Sequence, residues 1–259
     1  MDNSIRDPIL FDHIAVGVRD AAGVTPLLVG DLGGEQVSAG PGAGFLWYQW
    51  RFGGAGVLEV LEPDGPIDGF LYRFLDSRGP GIHHVTFKVP DHAASVARAT
   101  ELGYDVVGLN LDDAGWKEAF LHPKQAQGVV VQLVESRPFE GEWSGDENSE
   151  SSWRRPFPPE PEPAAEPVAL VGLRMVAHDR ERSLAQWQTL LGADCDPSAD
   201  RLVFHWESSP MRIVVDIVPD REQGPVGLEW SADRPFAIPQ TADSLLGTAN
   251  FAMAASSSG

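Results

Sequence analysis

Cysteine is almost missing from this chain: Cys195 is the single one in 259 residues, so no internal disulfide can form and a reducing compartment is expected. Basic residues are scarce too, 19 against 38 acidic ones, for a formal charge of −19. That balance argues against nucleic acid, because neutralising phosphates requires clustered Lys and Arg, and it disfavours anionic membrane surfaces. No apolar run approaches the roughly 20 residues of a membrane span. The opening MDNSIRDPILFDHIAV has neither the basic stretch nor the apolar centre of a secretory signal. The expectation is a cytoplasmic protein acting on a small molecule, without nucleic acid or membrane as partner. Core material is plentiful: 42% of residues are hydrophobic, with 12 Phe and 8 Trp, so most of the chain should fold.

The first pattern is a repeat. Residues 11–20 read FDHIAVGVRD and residues 82–91 read IHHVTFKVPD, so an offset of 71 lays His13 on His84, Val16 on Phe87 and Asp20 on Asp91. Both segments read as a strand followed by a helix, with Asp20 and Asp91 as caps. Farther on, VLEVLE at 57–62 echoes VVQLVE at 130–135 and places Glu59 on Gln132. In the first unit, strands are expected near 33–39, 44–52 and 56–62, with FGGAG at 52–56 as a tight turn. In the second, a helix over 91–103 precedes strands near 104–109, 116–121 and 128–134. Both units are βαβββ. Between them, DGFLYRFLDSRGPG reads as a helix whose Phe70, Leu71, Phe74 and Leu75 form a packed stripe, assigned to the core.

Residues 138–167 turn acidic, Ser-rich and then Pro-rich, the composition of an extended linker. After it comes a degenerate third βαβββ unit at 168–235: VGLRMVAHD as a strand, RERSLAQWQTLLG as a helix, RLVFHW and MRIVVDIVP as strands, and GLEW as a possible last strand. Leu173 takes the place of His13, and aligning Pro219 with Pro63 puts Val215 at the place of Glu59, so this unit cannot hold the same metal. The tail, 236–259, is expected to be disordered at its end.

Side chains alternate along a strand, so His13, Ala15 and Gly17 share one face, and His84, Thr86 and Lys88 share the matching face of the repeat. Small and polar neighbours suit a cavity wall. Glu59, amid apolar residues, is costly to bury unless paired or metal-bound. A lone strand histidine is more often a hydrogen-bonded structural residue. Four polar residues at matching points of two repeats are harder to dismiss. Two imidazoles, a carboxylate and an amide oxygen suit a divalent first-row metal (Fe, Co, Ni, Mn or Zn), so His13, Glu59, His84 and Gln132 are the expected ligands. In FLWYQWRF, Leu46, Tyr48, Trp50 and Phe52 should pack under helices. Phe45, Trp47, Gln49 and Arg51 would then face the metal, with Phe45 and Trp47 for a flat substrate and Arg51 for a carboxylate or phosphate. An ordinary solvated stripe is the competing reading. Lys124 and His122 are read as turn and structural residues.

FDHIAVGV, LEVLEP, GIHHVTFKV and FLHPKQAQGVVVQL resemble motifs of the vicinal oxygen chelate (glyoxalase/bleomycin resistance/dioxygenase) superfamily, and are most similar to methylmalonyl-CoA epimerase-like members. The resemblance covers about residues 9–136. It implies an α+β fold in which the paired βαβββ modules of residues 7–137 form an open, barrel-like mixed sheet around the metal. It also implies ligation by one inward residue of each first and last strand: His13, Glu59, His84 and Gln132, with His83 facing away. One departure matters. The last-strand residue is usually Glu in this superfamily, and Gln132 cannot accept a proton at neutral pH. Glu59 therefore becomes the candidate base, with Gln49 positioning the substrate.

The function expected is that of a metal-dependent epimerase, isomerase or lyase, polarising a carbonyl or oxyanion and assisting proton transfer at the adjacent carbon. An Fe(II) ring-cleaving dioxygenase and a non-catalytic protein binding an aromatic ligand are the alternatives. The third unit has no obvious partner in its own chain, so a homodimer is expected, with the unpaired sheet edge covered by a second copy; the alternative is a monomer in which this unit caps its own metal domain.

Overall fold

The computed structural model describes residues 8–113, 115–136, 156–198 and 200–253. The first part of the expected linker and the expected disordered end therefore lie outside the described residues. In chain order the first module is β1 (Leu10–Gly17), α1 (Ala21–Thr25) continued by a π-helical stretch (Pro26–Asp31), β2 (Glu35–Pro41), β3 (Phe45–Arg51) and β4 (Val57–Pro63). Helix α2 (Phe70–Arg78) leads to the second: β5 (Gly81–Lys88), α3 (His92–Glu101), β6 (Val106–Asn110), β7 (Trp116–Leu121) and β8 (Val130–Ser136). Then follow β9 (Ala169–Ala177), α4 (Arg180–Ser183) with its π-helical continuation (Leu184–Leu190), β10 (Asp194–Pro197), β11 (Arg201–His205) and β12 (Arg212–Ile217). Last come β13 (Gly224–Ser231), α5 (Ala242–Leu246) and β14 (Ala249–Ala252).

The fold is mixed α+β, with few helices and two large mixed sheets. One has eight strands in the order β2-β3-β4-β1-β5-β8-β7-β6, the other six in the order β10-β11-β12-β9-β13-β14. The local signals explain the modules. Asp20 accepts from the Ala22 N–H at 3.0 Å, Asp91 from Ala94 at 2.9 Å and Asp179 from Glu181 at 2.8 Å, so each first strand is released into its helix by an aspartate cap. The glutamate that closes both VLEVLE and VVQLVE also has a fold role. Glu62 accepts the Ala21 N–H at 3.3 Å and Glu135 the His92 N–H at 3.0 Å, so each last strand holds the N-terminus of its module's helix. The β3–β4 turn runs through Gly53 and Gly54 at φ 57 and 68, backbone that few other residues adopt.

Compactness divides the described chain into two units, one of residues 8–12, 84–136 and 175–225, the other of 13–83, 156–174 and 226–253. In the first, Phe87 stacks on Phe11 at 4.9 Å and meets Trp206 and Trp187 at 4.9 and 6.0 Å, an aromatic core joining β5 to the helix after β9. In the second, the back of β3 is covered from β13 and from residues 156–168. Phe52 meets Trp230 of β13 at 5.0 Å, Phe157 packs against Tyr48 and Trp50, and Trp50 Nε1 donates to Glu160 at 2.9 Å. Residues 156–168 are indeed without helix or strand, but they form a strap. Ala164 N–H donates to Val29 O at 3.0 Å and Val168 N–H to Leu32 O at 3.1 Å.

The C-terminal half departs from the expectation. GLEW belongs to β13, which lies beside β9 rather than ending the third module, and β14 runs parallel to it after α5. Residues 224–252 thus make a shortened fourth module, and part of the expected tail is ordered structure. The third module has an in-chain partner, and the homodimer expectation rested on its having none. The close approach of this segment to the start of β5 requires glycine: Gly247 sits at φ 61, and a Cβ there would overlap the backbone of Pro80. Gly247→Ala is expected to destabilise the protein by about 2–3 kcal/mol, read as a lowered midpoint in urea.

Candidate metal centre

Strand β1 pairs in parallel with β4, aligning Ala15 with Glu59, and β3 pairs antiparallel with β4, aligning Gln49 with Glu59. Partners across a ladder share a face, so His13, Ala15, Glu59, Gln49, Trp47 and Arg51 lie on one side of this sheet. His13 is 1% and Glu59 7% exposed, and His13 Nε2 lies 3.6 Å from Glu59 Oε1. The other carboxylate oxygen is fixed: Gln49 Nε2 donates to Glu59 Oε2 at 2.9 Å, and Gln49 Oε1 accepts from Ser38 Oγ at 3.1 Å. With His84, also buried, His13 and Glu59 form a group whose ligand atoms lie within 4.8 Å of one another. Three donors each about 2.1 Å from one ion stand about 3.4–3.6 Å apart in tetrahedral or trigonal geometry; His13 Nε2 and Glu59 Oε1 are already at 3.6 Å, and side-chain movements of about an ångström bring the three onto one divalent ion. The donor set and its geometry fit a metal.

Gln132 is placed differently. It pairs with Thr86, whose hydroxyl donates to Gln132 Oε1 at 2.6 Å, while Gln132 Nε2 donates to Glu118 Oε2 at 2.7 Å. The amide oxygen keeps one lone pair for a ligand role. Glu118 was not anticipated. It sits on β7 between Trp116 and Phe120, facing the same side as Gln132, and also accepts from Trp116 Nε1 at 3.1 Å. An acidic residue alternating with two aromatics in WKEAFL was the available signal. Its repeat counterpart by strand register is Trp47, so the repeat could not reveal it.

His83 also departs from expectation. Rather than turning away, its ring lies 5.6 Å from Phe70 and 5.0 Å from Phe74, within the electrostatic reach of Glu59. Burial pushes its pKa down to about 4 against a smaller upward pull from Glu59, so the imidazole is neutral at physiological pH. The cause is α2, which crosses the Glu59 side of the first module: Leu71 and Leu75 pack on Ala15 and Leu61, with Phe45, Trp47 and Phe74 around them. Of the stripe assigned to the core, only Leu71 and Leu75 are buried, and Phe70 is 38% exposed. Arg51 is half-buried across from Val57 and Glu35. His122 is structural, its Nδ1 accepting the Lys124 N–H at 3.2 Å.

The second sheet has lost the ligands. Counted back from the cap Asp179 as His13 is from Asp20, the counterpart of His13 is Gly172 rather than Leu173. Three residues into β13, Gly227 stands where His84 stands in β5, and Glu229 pairs with Phe251 as Thr86 pairs with Gln132. Arg174 fills the space, donating to the fully buried Glu229 at 2.8 Å with its guanidinium 4.3 Å above the Phe251 ring.

Residues 12–120 match a family model for the glyoxalase/bleomycin resistance protein/dioxygenase superfamily. An ethylmalonyl-CoA/methylmalonyl-CoA epimerase from Cereibacter sphaeroides is 30% identical over 129 residues, 47% of this chain and 94% of that protein. The mitochondrial methylmalonyl-CoA epimerase of Mus musculus is 28% identical over 134 residues, 48% of this chain and 72% of its own. A crystal structure of a hypothetical protein from Staphylococcus aureus is similar with a TM-score of 0.61 over 95% of this chain and 99% of that one. At 8% identity that likeness is one of fold alone, and it extends through both sheets.

Proposed function

The chain belongs to the glyoxalase/bleomycin resistance protein/dioxygenase superfamily, and on that footing we propose that it is a metal-dependent epimerase acting at the acidic carbon beside a carbonyl. The observation that carries this reading is the buried His13–Glu59–His84 group with Gln49 bound to the glutamate. A divalent first-row ion held by His13, Glu59 and His84, with Gln132 as a fourth ligand, would supply Lewis acidity that makes the α-proton removable.

The chain's own residues do the rest. Glu59 would give up its hold on the ion and take the α-proton through the carboxylate oxygen turned towards His13, while Gln49 keeps the other in place; the C–H electron pair passes into the carbonyl system as the proton leaves. Epimerisation then requires a proton returned to the other side of that carbon. Gln132 cannot deliver one, and Glu118, hydrogen-bonded to it on the same face, is the carboxyl group that takes this role. Arg51, two residues from Gln49 on the same side of β3, suits a carboxylate on the substrate.

The named relatives suggest the first compounds to try. Methylmalonyl-CoA and ethylmalonyl-CoA, incubated in deuterated water with the metal-loaded protein, should incorporate deuterium at the α-carbon, well above a control with the metal alone. No incorporation with either compound, in protein that binds the metal, would overturn the reading. Two histidines and one carboxylate are also the ligand set of Fe(II) oxygenases, which favours ring-cleaving oxygenation as the second reading. Oxygen uptake with a vicinal diol under Fe(II) would move the assignment there.

A further inference from the structure

The turn between β7 and β8 holds a strained residue where its repeat has none. Gln127, at φ 57, is the one non-glycine residue with left-handed backbone among the described residues. The register that lays Glu59 on Gln132 lays Gly54 on Gln127, and Gly54 adopts the same conformation, φ 68, without a Cβ to crowd. A glutamine kept where glycine fits better calls for something its side chain does. That side chain is 2% exposed and bonded at both ends: Nε2 donates to Gln186 Oε1 at 3.0 Å, and Oε1 accepts from the Ser183 hydroxyl at 2.6 Å. Gln186 and Ser183 are fully buried on the helix after β9, and Gln186 Nε2 donates back to Ala126 O at 3.4 Å. Arg182, beside Ser183, donates to Gln125 O at 3.3 Å. On the other side of the turn, a Cβ on Gly128 would overlap the backbone of Gln223 and Gly224. The turn is thus clamped between two segments of the half of the chain that has no metal ligands, all within one compact unit.

We infer that Gln127 and Gln186 are positioning residues for the metal centre: by fixing this turn they hold β8 in the register that sets the Gln132 side chain beside Thr86 and Glu118. The inference rests on the reading of Gln132 as the fourth ligand. Turn geometry sets the register of a hairpin, and a slip of one residue along β7 would carry Gln132 to the opposite face of the sheet. A buried amide bonded at both ends fixes one position, where an apolar contact would tolerate sliding.

The test reads cobalt(II) bound to the full-length protein, through its dissociation constant and its visible absorption spectrum. Gln127→Gly keeps the backbone that the repeat uses, and Gln186→Met keeps the buried volume. Each should weaken cobalt(II) binding about tenfold, the lower end for an outer partner, and shift the spectrum to that of Gln132→Ala. Leu202→Ala, a core truncation on β11, should lower the urea midpoint at least as far while leaving affinity and spectrum unchanged. Parent affinity and spectrum in both glutamine variants, when Gln132→Ala alters them, overturn the positioning role alone. So does a Leu202→Ala spectrum that moves in the same way, since the effect is then one of stability. A parent protein that takes up no cobalt(II), or a Gln132→Ala variant identical to it, overturns the ligand reading and the inference with it. The expected cobalt(II) behaviour in protein that exchanges no α-proton would sink the epimerase reading and leave the positioning role standing.

Discussion

Replacing Glu59 by Gln is expected to lower α-proton exchange by about 100- to 10,000-fold, the usual worth of a positioned base. The substitution is nearly isosteric. The single amide oxygen can face the ion if Gln49 turns over to accept from the new NH2 group, so structure and most of the metal content should survive. Exchange is read by the α-proton signal in deuterated water and metal by elemental analysis of the same sample. Full exchange in the variant would transfer the role to another carboxylate, with Glu118→Gln the next variant to make.

His13→Ala and His84→Ala should each weaken metal binding by at least about 100-fold, because a lost direct ligand costs more than the roughly 10–100-fold of an outer partner. Protein purified without a metal-affinity column should carry near-stoichiometric metal in the parent and almost none in either variant. His83→Ala is the informative neighbour: its ring belongs to the Phe70–Phe74 side, so metal content should hold. Undiminished metal in both His13→Ala and His84→Ala would remove the centre altogether.

What was legible in the sequence was whatever repeated. His13 and His84 could be paired because ten residues around each match in pattern, and the β3 faces followed from strict alternation. The capping aspartates were readable for the same reason. What broke the repeat stayed hidden. Glu118 has Trp47 as its counterpart, so it had no echo. The orientation of His83 depends on α2 crossing the sheet, a tertiary fact that no period encodes. The fourth module escaped because it has shrunk to β13, one short helix and the four residues of β14, too little for a pattern. Gly227 and Phe251, where ligands would stand, also erase the chemistry by which a module might be recognised.

The strap of residues 156–168 bears on how the chain can be divided. The stretch that aligns with the epimerases is nearly as long as one of those complete proteins, which invites cutting after residue 136 to obtain a minimal enzyme. Here that piece would not be self-sufficient. Tyr48, Trp50 and Phe52, at most 6% exposed, lie beneath Phe157, Glu160 and Trp230, and removing these lays bare a row of aromatics on a β-strand. Such a fragment should precipitate or self-associate rather than work, and the second sheet, though stripped of ligands, is then best understood as a resident chaperone for the first.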